Sequence, residues 1–109
     1  MASDIGFVDF VCEQVGRAGA IESKKMFGEY LVYCDGRPAL LVCDNQVFVK
    51  ILPETTALFA ARGRAFDVGL PYKGAKEHYV LDMDDADFAT ETTGLLARMP
   101  PPDKKNNKK

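Results

Sequence analysis

Five consecutive apolar residues, Ala39-Leu40-Leu41-Val42-Cys43, stand between two dipeptides that tolerate positive φ, Asp35-Gly36 and Asp44-Asn45. Two-residue hairpin turns need that region of backbone space, and connections so short force neighbouring strands to run antiparallel. The spacing predicts a meander with strands at 26–34, 38–43 and 47–52. A sheet with one wet face alternates apolar and polar residues, and the 39–43 run does not. Its strand is therefore expected to be covered on both faces. Helices would lie on one side, and a second subunit or further wrapping helices on the other.

Helical periodicity flanks the meander. Over residues 4–18, Phe7, Val8, Val11, Val15 and Ala18 recur at spacings of three and four, with Asp9, Glu13 and Arg17 on the opposite side. Ser3 or Asp4 can cap this helix, and Gly16 and Gly19 weaken and end it. Residues 20–24 read as the crossing into the first strand. Pro53-Glu54 opens a second helix to Arg62, with Leu58 and Phe59 facing in and Gly63 as its stop. The segment 64–76 is punctuated by Gly and Pro and supports no long element. A strand follows at 77–81, then a helix begun by Asp84 as cap and Asp87 as its reciprocal partner, with Phe88, Thr92, Leu95, Leu96 and Met99 as its inward stripe. Pro100 closes it. The fold class is α+β in a single domain: helix, three-stranded antiparallel meander, helix, one or two strands, helix. Its 109 residues suit one domain.

Charge narrows the partners. The whole chain has a formal net charge of -2. Residues 1–100 carry a net of -5 and residues 101–109 a net of +3. The domain is expected to span 1–100, with 101–109 a disordered basic tail. Phosphate-backbone recognition wants lysines and arginines gathered on one face; here they are scattered and outnumbered, so direct nucleic-acid binding is expected to be weak. No apolar stretch approaches the roughly 18 residues of a membrane span, and Met1-Ala2-Ser3-Asp4 lacks the basic patch and apolar run of a signal peptide. The expectation is a cytoplasmic protein with no membrane association.

Residues able to do chemistry are few. Cys12, Cys34 and Cys43 form no CxxC pair, and the two turns put Cys34 and Cys43 at opposite ends of the sheet. About 20 Å then separates them at roughly 3.3 Å per residue, beyond disulfide reach and beyond a shared tetrahedral metal site. His78 stands alone, and no cysteine has a base near it in sequence. Asp82, Asp84, Asp85 and Asp87 lack the Gly and terminal Glu of a calcium loop. No catalytic residue, metal or cofactor is expected, and the chain reads as no enzyme.

Two separated motifs carry a family resemblance. Lys24-Lys25-Met26-Phe27-Gly28-Glu29-Tyr30, continued by Tyr33-Cys34-Asp35-Gly36 and the stretch 39–50, is one; Pro71-Tyr72-Lys73-Gly74-Ala75-Lys76 is the other. In this order and spacing, and over residues 4 to 99, the chain resembles the N-terminal domain of the TfoX (Sxy) family, named for a bacterial regulator of natural competence. Leu31 stands where the family has Gly, and Lys73 where it has Pro. Full-length members add a C-terminal domain similar to small helical nucleic-acid modules, which these 109 residues do not include. The resemblance implies a compact α+β fold similar to the secretion-chaperone fold. It also implies a stand-alone regulatory or protein-interaction module linked to competence or transcription.

Met26, Phe27 and Tyr30 are expected to anchor the first strand, with Gly28 allowing a bulge. Loops carry function without having to build the scaffold. Lys24, Lys25, Tyr30, Tyr72, Lys73 and Lys76 therefore form the candidate interaction surface, for a protein partner or a second copy in a homodimer. An accessory role in DNA-associated regulation is the first alternative. A small-molecule-binding or enzymatic domain is the second, and it would need Lys25, Tyr30, Tyr72 and His78 to converge on one pocket.

Overall fold

The computed structural model describes residues 4–26 and 29–99. The Ser3 cap, the Met26 side chain, Phe27 and Gly28, the stop at Pro100 and the 101–109 tail lie outside the described residues. Helix α1 (Ile5–Gln14) is followed by a single 3-10 turn (Gly16–Ala18). Strands β1 (Ile21–Met26), β2 (Glu29–Cys34), β3 (Arg37–Cys43) and β4 (Gln46–Lys50) come next. Helix α2 (Pro53–Ala61), strands β5 (Val68–Gly69) and β6 (His78–Val80), and helix α3 (Ala86–Arg98) complete the chain. All pairings in the six-stranded sheet are antiparallel, in the order β1-β2-β3-β4-β6-β5.

Both hairpin turns have the backbone their sequences require. Asp35 and Gly36 have φ of 54° and 83°, and Asp44 and Asn45 have 54° and 58°, which matches the twist of the flanking strands. The meander nevertheless has four strands rather than three. Most of the 20–24 stretch expected to be a crossing instead belongs to β1, which pairs along the whole of β2 from Ile21↔Cys34 to Met26↔Glu29. Ile21-Glu22-Ser23-Lys24-Lys25 has no period-2 apolar signal; it is a strand because β2 supplies its hydrogen bonds. Between β2 and β3 the register jumps from Val32↔Leu40 to Tyr33↔Pro38, which leaves Ala39 as the extra residue of a bulge.

All three helices lie on one face of the sheet. Val8, Val11 and Val15 of α1, Phe59 of α2 and Phe88 and Ala89 of α3 pack with Val32, Leu40, Val42, Val47, Val49 and Tyr79 in one core. The opposite face carries Leu31, Tyr33 and Leu41, each half-buried, with Cys43 and Phe48 buried. Phe48 reaches across to β5, where a Cβ on Gly69 would stand 3.2 Å from its ring. The apolar run of β3 is thus buried deeply toward the helices and only partly on the other side, without a helix there among the described residues.

Two caps differ from expectation. Helix α1 ends at Gln14, and Asp4 caps it without a side-chain bond; instead the Asp4 backbone N–H donates to Asn45 Oδ1 at 2.9 Å. Asp85, not Asp84, caps α3, accepting from the Phe88 N–H at 3.1 Å. Asp87 is drawn away to Arg17, 2.7 Å distant. The inward stripe of α3 shifts accordingly to Phe88, Ala89, Thr92, Thr93 and Gly94, with Leu95 and Met99 only half-buried. Thr92 and Thr93 tolerate burial because their hydroxyls donate to the Phe88 and Ala89 carbonyls at 2.9 and 2.8 Å.

Candidate protein-contact surface

The residues singled out from the sequence divide into two groups. Lys24 and Lys25 are exposed on β1. Lys24 points to the helix-free face, where its ammonium lies 5.5 Å from the Tyr33 ring. Tyr30, opposite Lys25, packs its ring against the core. Tyr72, Lys73 and Lys76 are exposed in the segment joining β5 to β6. Four strand steps separate β1 from β6, about 19 Å at the usual strand spacing. The lysines of β1 and those of the loop stand at opposite ends of the strand order.

The structure adds residues to the loop group. Phe66, Val68, Leu70 and Tyr72 are 49%, 46%, 56% and 50% exposed. They occupy every second position from 66 to 72, through the short strand β5 and into the bend at 71–72, and Lys73 and Lys76 follow. Pro71 between them is buried and fastens the segment to the body. Inward, Phe66 stacks on Phe59 with ring centroids 6.3 Å apart and lies 5.6 Å from Tyr79, so the segment is backed by a rigid aromatic cluster. The alternation Phe-Asp-Val-Gly-Leu-Pro-Tyr was legible over 66–72, but its Gly and Pro mask it as plain loop.

Elsewhere, polar groups are committed to one another. An open hollow of about 370 Å³ lies between α2 and α3. Its Arg62 grips Glu91 through two guanidinium nitrogens, which pulls the Glu91 carboxyl below its ordinary range. Arg64 binds the second oxygen of the capping Asp85 and lies 4.5 Å over the Phe88 ring. No cation of that hollow is left for a ligand. His78 Nδ1 donates to the Lys76 carbonyl oxygen at 2.8 Å. Its strand position puts it on the face opposite Tyr30, so Lys25, Tyr30, Tyr72 and His78 do not converge on one pocket. Among the described residues no three His, Cys, Asp or Glu side chains group to hold a metal, and no helix is long and apolar enough to cross a membrane.

The cysteines are free and placed for packing. Cys34 and Cys43 stand at opposite ends of β2 and β3. Burial, then the neighbouring Glu29 and Asp44 carboxylates, raises the Cys43 thiol from 9.0 to about 11. Burial also raises Cys12 and Cys34. At mildly alkaline pH the Cys43 thiolate fraction is then about a hundredfold below that of a free cysteine. Alkylation of Cys43, followed by peptide mass spectrometry, is expected to be slower by at least that factor in the folded chain than in urea. Equal rates would refute the assignment. A thiol that binds its proton more tightly when folded stabilises the fold fully below pH 9.0, and that contribution is lost as pH rises toward about 11.

The family described as the TfoX N-terminal domain matches residues 13–90, from the end of α1 into α3, and so takes in the whole sheet and the 66–76 segment. An uncharacterized 12.7 kDa protein in the trpE 5' region of Spirochaeta aurantia is 36% identical over 86 residues, covering 75% of this chain and 68% of that protein. With two motifs in order, an α+β fold built on them and a match over most of the chain, the protein belongs to the TfoX N-terminal domain family.

Proposed function

We propose that the chain is a non-enzymatic regulatory module of the cytoplasm that works by protein contact through the 66–76 segment. The observation that carries this reading is the row of four half-exposed apolar side chains, Phe66, Val68, Leu70 and Tyr72, running into Lys73 and Lys76. Large apolar side chains left in water and bordered by charge are the physical mark of a docking face. Its chemistry suits an extended segment of a partner with apolar side chains and an acidic flank. A link to competence or transcription, as the family name suggests, would run through that partner, since the net charge of -5 over residues 1–100 disfavours direct contact with DNA. Self-association into a homodimer and likeness to the secretion-chaperone fold belong to the same proposal.

The test is affinity capture from the source cells with the wild-type chain and with a Leu70→Glu, Tyr72→Ser double variant whose circular dichroism and melting match it. A protein retained by the first and lost by the second is the expected result. Identical captured sets would refute the reading. If instead the wild-type chain shifts double-stranded DNA at moderate salt, the accessory DNA-associated role takes precedence.

A further inference from the structure

The two edges of the sheet are unequal. β5 offers two residues, Val68–Gly69, whereas β1 offers six, Ile21–Met26. The Asp35 N–H donates to the Ala20 carbonyl at 2.8 Å, and the β1–β2 register is unbroken. By strict alternation, Glu22 and Lys24 direct their backbone groups at β2, and Ile21, Ser23 and Lys25 direct theirs outward. Residues 22–25 are all exposed, so this ladder is open to a further strand.

Lysines on an open edge ordinarily deter pairing. Here, with Glu22 beside them, they favour one register over its neighbours. A two-fold axis perpendicular to the sheet keeps the faces matched only when residues of equal parity stand opposite each other. Centred on Ser23, the pairing sets Ser23 against Ser23 and makes 21, 23 and 25 the hydrogen-bonded positions, as their outward backbone requires. It also sets Glu22 of each copy against Lys24 of the other, twice, in the non-hydrogen-bonded sites where side chains approach most closely. Both residues point to the helix-free face, where Lys24 already lies beside Tyr33. A slide by two residues either way puts Glu22 opposite Glu22, or Lys24 opposite Lys24.

We infer that a second copy of this chain docks on β1 in that register, making one sheet of twelve strands across the pair (two six-stranded sheets). This rests on the self-association in the proposal above and is independent of the 66–76 contact. The dimer is held by one strand pair and two charge pairs, so it is concentration-dependent and weakened by salt.

The test is sedimentation equilibrium of the full chain over a concentration series, together with amide exchange. Glu22→Lys and Lys24→Glu, singly, are each expected to weaken the dimer about tenfold or more. The double swap restores it to within about threefold of wild type. The Ser23 and Lys25 amides gain protection as wild-type concentration rises. A dimer indifferent to the single changes, or a double swap that stays weak, overturns the inference while self-association stands and moves to another surface. A monomer at every concentration removes both, and leaves the capture experiment unaffected.

Discussion

Replacing Phe59 by alanine is expected to lower the unfolding free energy by about 3–5 kcal/mol, measured by urea denaturation. Phe59 is 2% exposed and, among the described residues, is the one ring that three others touch. Tyr79 of β6 lies 4.8 Å away, Phe88 of α3 5.2 Å and Phe66 6.3 Å. Removing it leaves a cavity among rigid rings that cannot collapse by rotating, so the loss includes their mutual contacts as well as transfer of the ring itself. For a domain whose total stability is of order 5–15 kcal/mol, that is a large share. Phe66 also loses its backing, so the 66–76 segment loosens with the core. A cost below about 1 kcal/mol would show that the cluster does not couple α2, α3 and β6.

Thr55→Val is the second large effect, at about 1–3 kcal/mol. Thr55 is fully buried at the start of α2. Its Oγ1 accepts from the Leu52 N–H at 2.9 Å and donates to the Lys50 carbonyl at 2.8 Å. One hydroxyl thereby joins the end of β4 to the first turn of α2, where helix N–H groups lack intrahelical acceptors. Valine keeps the shape and strands both partners. Thr55→Ser keeps the hydroxyl and gives up a methyl, about 1 kcal/mol. Leu52 amide exchange separates the two: it should quicken in the valine variant and stay slow in the serine variant. Equal exchange in both would refute the bridging role.

How much of this was legible depends on how local each cause is. The turns at Asp35-Gly36 and Asp44-Asn45 need only their own φ angles, and α2 only its Pro53 start and the positive φ of Gly63, so both were readable residue by residue. Strand β1 was not: Glu22, Ser23, Lys24 and Lys25 favour no element alone, and β2 decides them. The capping of α3 moved by one residue because Arg64 engages Asp85 and Arg17 engages Asp87 from distant positions. For the candidate surface, the sequence named both Lys24 and Lys73, but strand order puts them far apart, and only exposure revealed Phe66, Val68 and Leu70 beside Tyr72.

By itself, then, the order of amino acids determined the hairpins, the helices flanking them and the family. These follow from torsional preference, apolar spacing and motif, which act over a few residues. Tertiary structure alone decided which polar segment became the open edge, which aspartate capped α3 and which apolar side chains stayed in water. Each of those outcomes is set by a neighbour dozens of residues away competing with solvent for the same backbone or side-chain group.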